Sequence, residues 1–281
     1  MLPANLPGIL LALTSAFLWG SGDFSGGYAT RRSSQYYVLA LSSLSGVLIV
    51  VIAAVLWREA FPSLHGILWA MLAGVSGALG IAALYRGLSI GPAASVAPTA
   101  SVIGAALPVV FAGFTEGLPS PLKLLGFGLA FAGIWLVSAA STPNSEAPRP
   151  GFLLACLAGV GFAGFFIFIG QVDPGKIFTP VIIARFMALC TGLLLIKINR
   201  LPLPALTSNP PALLAGVLDA GGNIFFILSK QFTRLDIAVV LSSLYPAATV
   251  FLASLILKEK VSRSQWLGVL ICLAAIGLIT I

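Results

Sequence analysis

Few side chains in this sequence can do chemistry, and three of them are charges set inside apolar runs: Asp23, Arg185 and Asp219. An unpaired charge at the centre of a lipid-embedded segment costs at least ~2.5–3.5 kcal/mol, so such residues pair with one another or serve a site. Arg185 stands eight residues into the run 177–197, and Asp219 eight residues into the run 211–230. At helical rise each lies ~12 Å deep from opposite faces. Consecutive antiparallel helices therefore place the two at nearly equal depth. Either a structural salt bridge or a substrate or coupling-ion site follows. Asp23 lies near the far end of the first run, among glycines. It reads as a helix-end residue or as a partner for a substrate amine.

Trp19 lies 11 residues into the first run, ~16 Å deep. Tryptophan prefers the membrane interface, so a mid-depth indole is a candidate cavity wall. A shift of 143 places Phe162 at the equivalent position in the second half. Two such aromatic faces can hold an aromatic solute by stacking, or a cation by cation–π attraction. Phe165, Phe166 and Phe168 read as lipid-facing or packing residues. Tyr245, just before Pro246, and Asn223, after Gly221 and Gly222, are polar groups within apolar runs that need partners. Thr99, Ser101, Ser242 and Ser243 add hydroxyls, although Ser and Thr often bond back to their own helix. Tyr85 completes the substrate-site candidates, with an interfacial belt role as its alternative.

Proline within an apolar helix frees a carbonyl and bends the chain. Pro98, Pro108 and Pro246 are the hinge candidates. Glycines such as Gly20, Gly22, Gly26 and Gly27 serve bending or close helix packing.

Enzyme signatures are missing from the sequence. One histidine, His65, and sparse carboxylates leave little for acid–base chemistry. No phosphate-binding loop motif is present. Cys156, Cys190 and Cys272 lie in apolar runs without disulfide or zinc spacing. No cofactor and no metal are expected.

The elements that position these residues follow from composition. Hydrophobic residues make up 59% of the 281, and charged residues only 8%, against ~25% in a soluble domain. A soluble enzyme, a nucleic-acid-binding domain, a coiled coil and a disordered chain are excluded on that ground. The net charge of +7 is carried by basic residues between apolar runs, as membrane-flanking anchors are. A bilayer-crossing helix needs ~20 apolar residues. Ten such runs can be marked off, from 8–28 to 263–281, and backbone satisfaction in lipid makes them helices. MLPANLPG lacks the basic start of a secretory signal, so the first run reads as a retained span.

The sequence divides near its middle. Residues 1–142 and 151–281 read as copies of one five-helix unit, joined by a proline-rich linker at 143–150. A shift of 143 sets Gly8-Ile9-Leu10-Leu11-Ala12 on Gly151-Phe152-Leu153-Leu154-Ala155. A shift of 142 sets Ala73-Gly74-Val75 on Ala215-Gly216-Val217. Five is odd, so the second copy enters the membrane the other way up. Inverted repeats of this kind are used by secondary transporters.

Sorting cations by side gives five on the side of the termini and nine on the other, including Arg31, Arg32, Lys258 and Lys260. The positive-inside rule then places the termini outside.

Trp19-Gly20-Ser21, Leu244-Tyr245-Pro246, and Lys258-Glu259-Lys260 followed by Gln265-Trp266-Leu267-Gly268 resemble EamA-type carriers of the drug/metabolite transporter superfamily. The resemblance covers nearly the whole chain. The first half departs from it, with Ile103 where the second has Pro246. The resemblance implies ten helices in two inverted repeats, and both termini in the cytoplasm, against the charge count. Within the superfamily the chain is similar to YddG-type exporters of aromatic amino acids.

The expectation is an all-α secondary transporter of the bacterial inner membrane, monomeric, without nucleic-acid partners. It exports small amphiphilic metabolites, aromatic or large apolar amino acids foremost, by alternating access. A multidrug or organic-cation exporter is the alternative within transport, and a carboxylate in the pocket favours it. A non-transporting membrane subunit is the alternative outside it.

Overall fold

A computed structural model describes residues 5–30, 33–90, 93–138, 149–256, 258 and 261–280. Arg31, Arg32, Glu259, Lys260 and most of the linker lie outside the described residues, as do the side chains of Tyr85 and Pro98.

The described residues form helices and connections only. In chain order the helices are α1 (Leu6–Thr30), α2 (Gln35–Trp57), α3 (Leu64–Ile90), α4 (Ala93–Thr115), α5 (Pro121–Ser138), α6 (Arg149–Ile169), α7 (Phe178–Ile198), α8 (Pro210–Phe232), α9 (Leu235–Ser242), α10 (Tyr245–Ile256) and α11 (Arg263–Thr280). The run expected as a single ninth span is thus two helices, interrupted at Ser243 and Leu244. Pro246 is the second residue of the second piece, in the first turn, where its missing N–H costs nothing. Pro108, by contrast, lies within an unbroken α4.

Among the described residues six helical stretches are long and apolar enough to cross a membrane: Gln35–Trp57, Leu64–Leu84, Pro150–Ile169, Phe178–Ile198, Pro210–Phe232 and the Leu235–Ile256 pair. Shorter apolar stretches span Thr99–Thr115, Pro121–Val137 and Arg263–Ile279. Leu48, Ile52, Leu125, Leu157, Leu194 and Leu270 point outward and are exposed. Such a belt is costly in water and ordinary in lipid.

Helix pairing carries a pattern. α1 packs on α8, and α3 on α6; α2 meets α7, and α5 meets α11. α2 also packs on α8, as α7 does on α3. Exchanging α1–α5 for α6–α11 leaves this set unchanged. Close approaches repeat the pattern at residue level. A Cβ on Gly74 would stand 2.7 Å from Ala184 Cα, and one on Gly216 would stand 2.6 Å from the Ser42 carbonyl carbon. Each of these positions lies 142 residues from its counterpart. Arg58 and Arg200, also 142 apart, both take left-handed backbone at the ends of α2 and α7.

Hydrogen bonds fix the directions. Gly8, early in α1, lies against Thr233 after α8. Ser25, late in α1, donates to the Pro211 carbonyl at the start of α8 at 2.8 Å. The two helices are therefore antiparallel, and Ser15 donates to Gly222 O between these points at 2.8 Å.

Carboxylates tie the connections at one end of the bundle. Glu59 accepts from the N–H groups of Ile177, Phe178 and Thr179 at 2.9, 3.2 and 2.8 Å. Those are unpaired donors at the N-terminus of α7, where negative charge is favoured. Asp173 accepts from Ser63 N at 2.6 Å and Ser63 Oγ at 2.8 Å. Glu116 accepts from Leu235 N at 3.2 Å, and Arg234 donates to the Glu116 carbonyl at 2.9 Å and pairs with buried Asp236. Every residue of α9 is buried behind this lock.

Candidate functional site

A cavity of about 340 Å³ opens between the two sets of helices, within the ~300–1,000 Å³ of small-molecule sites. α1 presents one face to it: Trp19, Gly22, Asp23, Gly26, Gly27 and Thr30. Steps of three and four residues mark a single helical stripe. Val38 of α2 and Leu84 of α3 also line it. It therefore reaches the end of the bundle that carries the α1–α2 connection, opposite the carboxylate lock.

Its inner end is aromatic. Trp19, only 8% exposed, has ring centroids of Phe166 and Phe226 at 5.6 and 5.8 Å and of Phe165 at 6.5 Å. The contacts to Phe165 and Phe166 are edge-on, an arrangement favoured by the ring quadrupoles. Phe162 lines the same cavity. Phe165 and Phe166, expected as lipid-facing or packing residues, do pack on Trp19 and in addition line the cavity. Phe168 instead lies against Trp69, at 5.5 Å.

The polar wall comes from α7 and α8. Arg185 and Asp219 form an ion pair. The donors and acceptors fix the amide of Asn223: its oxygen faces the guanidinium, accepting from Arg185 Nε at 3.0 Å. Arg185 is thus held by a carboxylate from one turn of α8 and an amide from the next. Asp23 faces the cavity without such support. Among the described residues it accepts no hydrogen bond and joins no ion pair, and the Asp219 carboxylate repels it. Tyr245, at the break between α9 and α10, lines the cavity, with its phenol facing the Ser101 hydroxyl.

The structure thus gathers Trp19, Asp23, Phe162, Arg185, Asp219, Asn223 and Tyr245 around one volume. Thr99 and Ser242 are not among its lining. Thr99 is buried in packing, and Ser242 donates to the Ala12 carbonyl at 3.2 Å. Ser243, the helical C-cap of α9, takes the lining position instead. Among the described residues no His, Cys, Asp or Glu cluster with metal-binding geometry occurs.

Comparison with known proteins gives one family. The EamA-like transporter family matches residues 6–139 and again 149–281. No curated protein matches the chain. Solved structures do match, 29 chains in all. One, a crystal structure of a protein 18% identical, covers 96% of this chain and 95% of its own, with a TM-score of 0.75. That likeness is one of fold.

Proposed function

The chain belongs to the EamA-like transporter family, a membrane transporter and not an enzyme, and we propose that it is a ten-span carrier that moves small amphiphilic metabolites by alternating access. Residues 1–142 and 151–281 form two oppositely oriented halves around the cavity, joined through 143–150. The exchange symmetry of the helix pairs supports this arrangement, as do the matched glycine contacts. The membrane is the bacterial inner membrane, and the working unit is a monomer.

The observation that carries the reading is the cavity itself. It lies between the halves, is walled by aromatic rings, and extends toward the end that carries the α1–α2 connection. The other end is sealed by buried α9 and by the carboxylate contacts of Glu59, Glu116 and Asp173. An alternating-access carrier requires such an arrangement: one end open, one end held by contacts that can be exchanged.

The substrates are solutes with an aromatic or large apolar body, with aromatic amino acids exported as in YddG-type carriers first among them. Trp19 and Phe162 form the walls against which that body packs.

Solute counterflow with reconstituted protein tests the reading. Labelled aromatic solute should enter vesicles preloaded with the unlabelled form. Trp19→Ala should lower that rate several-fold with expression intact. Absence of counterflow for every amphiphilic solute would return the chain to the class of non-transporting subunits.

A further inference from the structure

The charges lining the cavity are unequal in their commitments. Two carboxylates, Asp23 and Asp219, and one cation, Arg185, face it among the described residues. Arg185 is occupied by Asp219 and by Asn223. Among the described residues a solute carboxylate therefore meets no free positive group there, and it meets a net negative lining. Asp23 is the opposite case, a carboxylate without a partner among the described residues.

The space around Asp23 is also unfilled. It stands one helical turn beyond Trp19, ~6 Å along α1. A Cβ added to Gly27 would touch nothing within 4 Å, and one on Gly26 would meet only Ala215, at 3.7 Å. Glycines on the turn after Asp23 thus leave room where side chains would otherwise close the wall. Behind lie the rings of Trp19, Phe162, Phe165 and Tyr245. Ring faces attract a cation as well as an apolar body.

We propose that Asp23 binds the ammonium group of the transported solute, so that the cavity selects amphiphilic amines and disregards a carboxylate on the same molecule. This rests on the transporter reading and specifies its substrate class: primary amines with an aromatic or large apolar body, whether or not they carry an acid group. The apolar part packs toward Trp19, and the ammonium group sits one turn outward at Asp23. Arg185 holds Asp219 and does not bind substrate.

Four probes of one skeleton separate the possibilities: phenethylamine, phenethyl alcohol, hydrocinnamate and free phenylalanine. Binding is read from tryptophan fluorescence of the full-length protein in detergent, and transport from counterflow, near neutral pH, where an alkyl amine keeps its proton. A charge-assisted hydrogen bond in the cavity should favour the amine over the alcohol by about tenfold or more. Hydrocinnamate should bind weakest, and phenylalanine no tighter than the amine. Asp23→Asn should bring amine and alcohol within about twofold, and Asp23→Glu should restore the order.

Equal binding of alcohol and amine to the native protein would overturn the proposal without any variant. So would an amine preference that survives Asp23→Asn. If hydrocinnamate is carried and the amine is not, transport stands and Asp23 is not the recognition group; if phenylalanine is carried and the amine is not, transport stands and the proposed indifference to the carboxylate falls. If none of the four binds or moves, the transporter reading of the cavity falls together with this one.

Discussion

Gly222 of α8 is the seat of Trp19: a Cβ there would stand 2.6 Å from the indole Nε1. The same relation recurs across the molecule, where a Cβ on Gly80 would stand 2.9 Å from Phe162 Cδ1. Gly80 and Gly222 are 142 residues apart, and Trp19 and Phe162 are 143 apart. Each half thus lends a glycine to the other half's aromatic wall. The indole cannot move off α8 without leaving the Phe166 and Phe226 rings against which it packs.

Substituting that seat should be costly. Gly222→Ala overpacks a rigid ring and should destabilise by ~1–3 kcal/mol, with a shift in tryptophan emission. Gly128 is the contrast, since a Cβ there meets nothing within 4 Å. Gly128→Ala should be neutral or stabilising by up to ~1 kcal/mol through helix propensity. Thermal melts of the two variants in detergent decide this; equal losses would refute the seat.

The Arg185–Asp219 pair should behave as a unit. Arg185→Gln leaves a carboxylate without its counter-charge in a low-dielectric wall and should destabilise by ~2 kcal/mol, less than a fully buried pair because Asp219 opens on the cavity. Arg185→Gln with Asp219→Asn should recover most of the loss. A double variant as unstable as the sum of the two singles would show that the partners act independently.

Acid should loosen one connection first. The Ser63 N–H and hydroxyl hold the Asp173 carboxyl below its ordinary value. A depressed carboxylate contributes stability above its unfolded pKa, near 3.9, and loses it as pH falls through the lower folded value. Asp173→Asn should therefore melt earlier than native protein at neutral pH. The gap should close below about pH 4. A gap independent of pH would mean the side chain acts by shape alone.

Weakening the lock at α9 should open the sealed end. Glu116 accepts from Leu235 N and sits 3.8 Å from Lys230 Nζ. In Glu116→Gln the helix end loses its charge partner. A cysteine at Ser243, which lines the cavity, should then label faster with an impermeant maleimide added on the side of the α4–α5 connection, above the level of the native thiols. Unchanged labelling would show that the lock does not control access.

Much of this was legible in the sequence because lipid imposes simple demands. An apolar run in hydrocarbon must satisfy its own backbone, so the helices followed from length and composition. The equal depths of Arg185 and Asp219 followed from helical rise, and Gly74 and Gly216 already marked the repeat. What only tertiary structure decided was helix rotation. A span that is apolar on all sides carries no stripe to distinguish a lipid-facing ring from one that walls a cavity. That Phe165 and Phe166 line the cavity as well as packing, and that Ser243 lines it while Ser242 does not, was therefore hidden. The carboxylate caps of Glu59 and Glu116 were equally hidden. Their partners lie more than a hundred residues away in sequence, and only packing brings a loop acid to another helix's unpaired N–H groups.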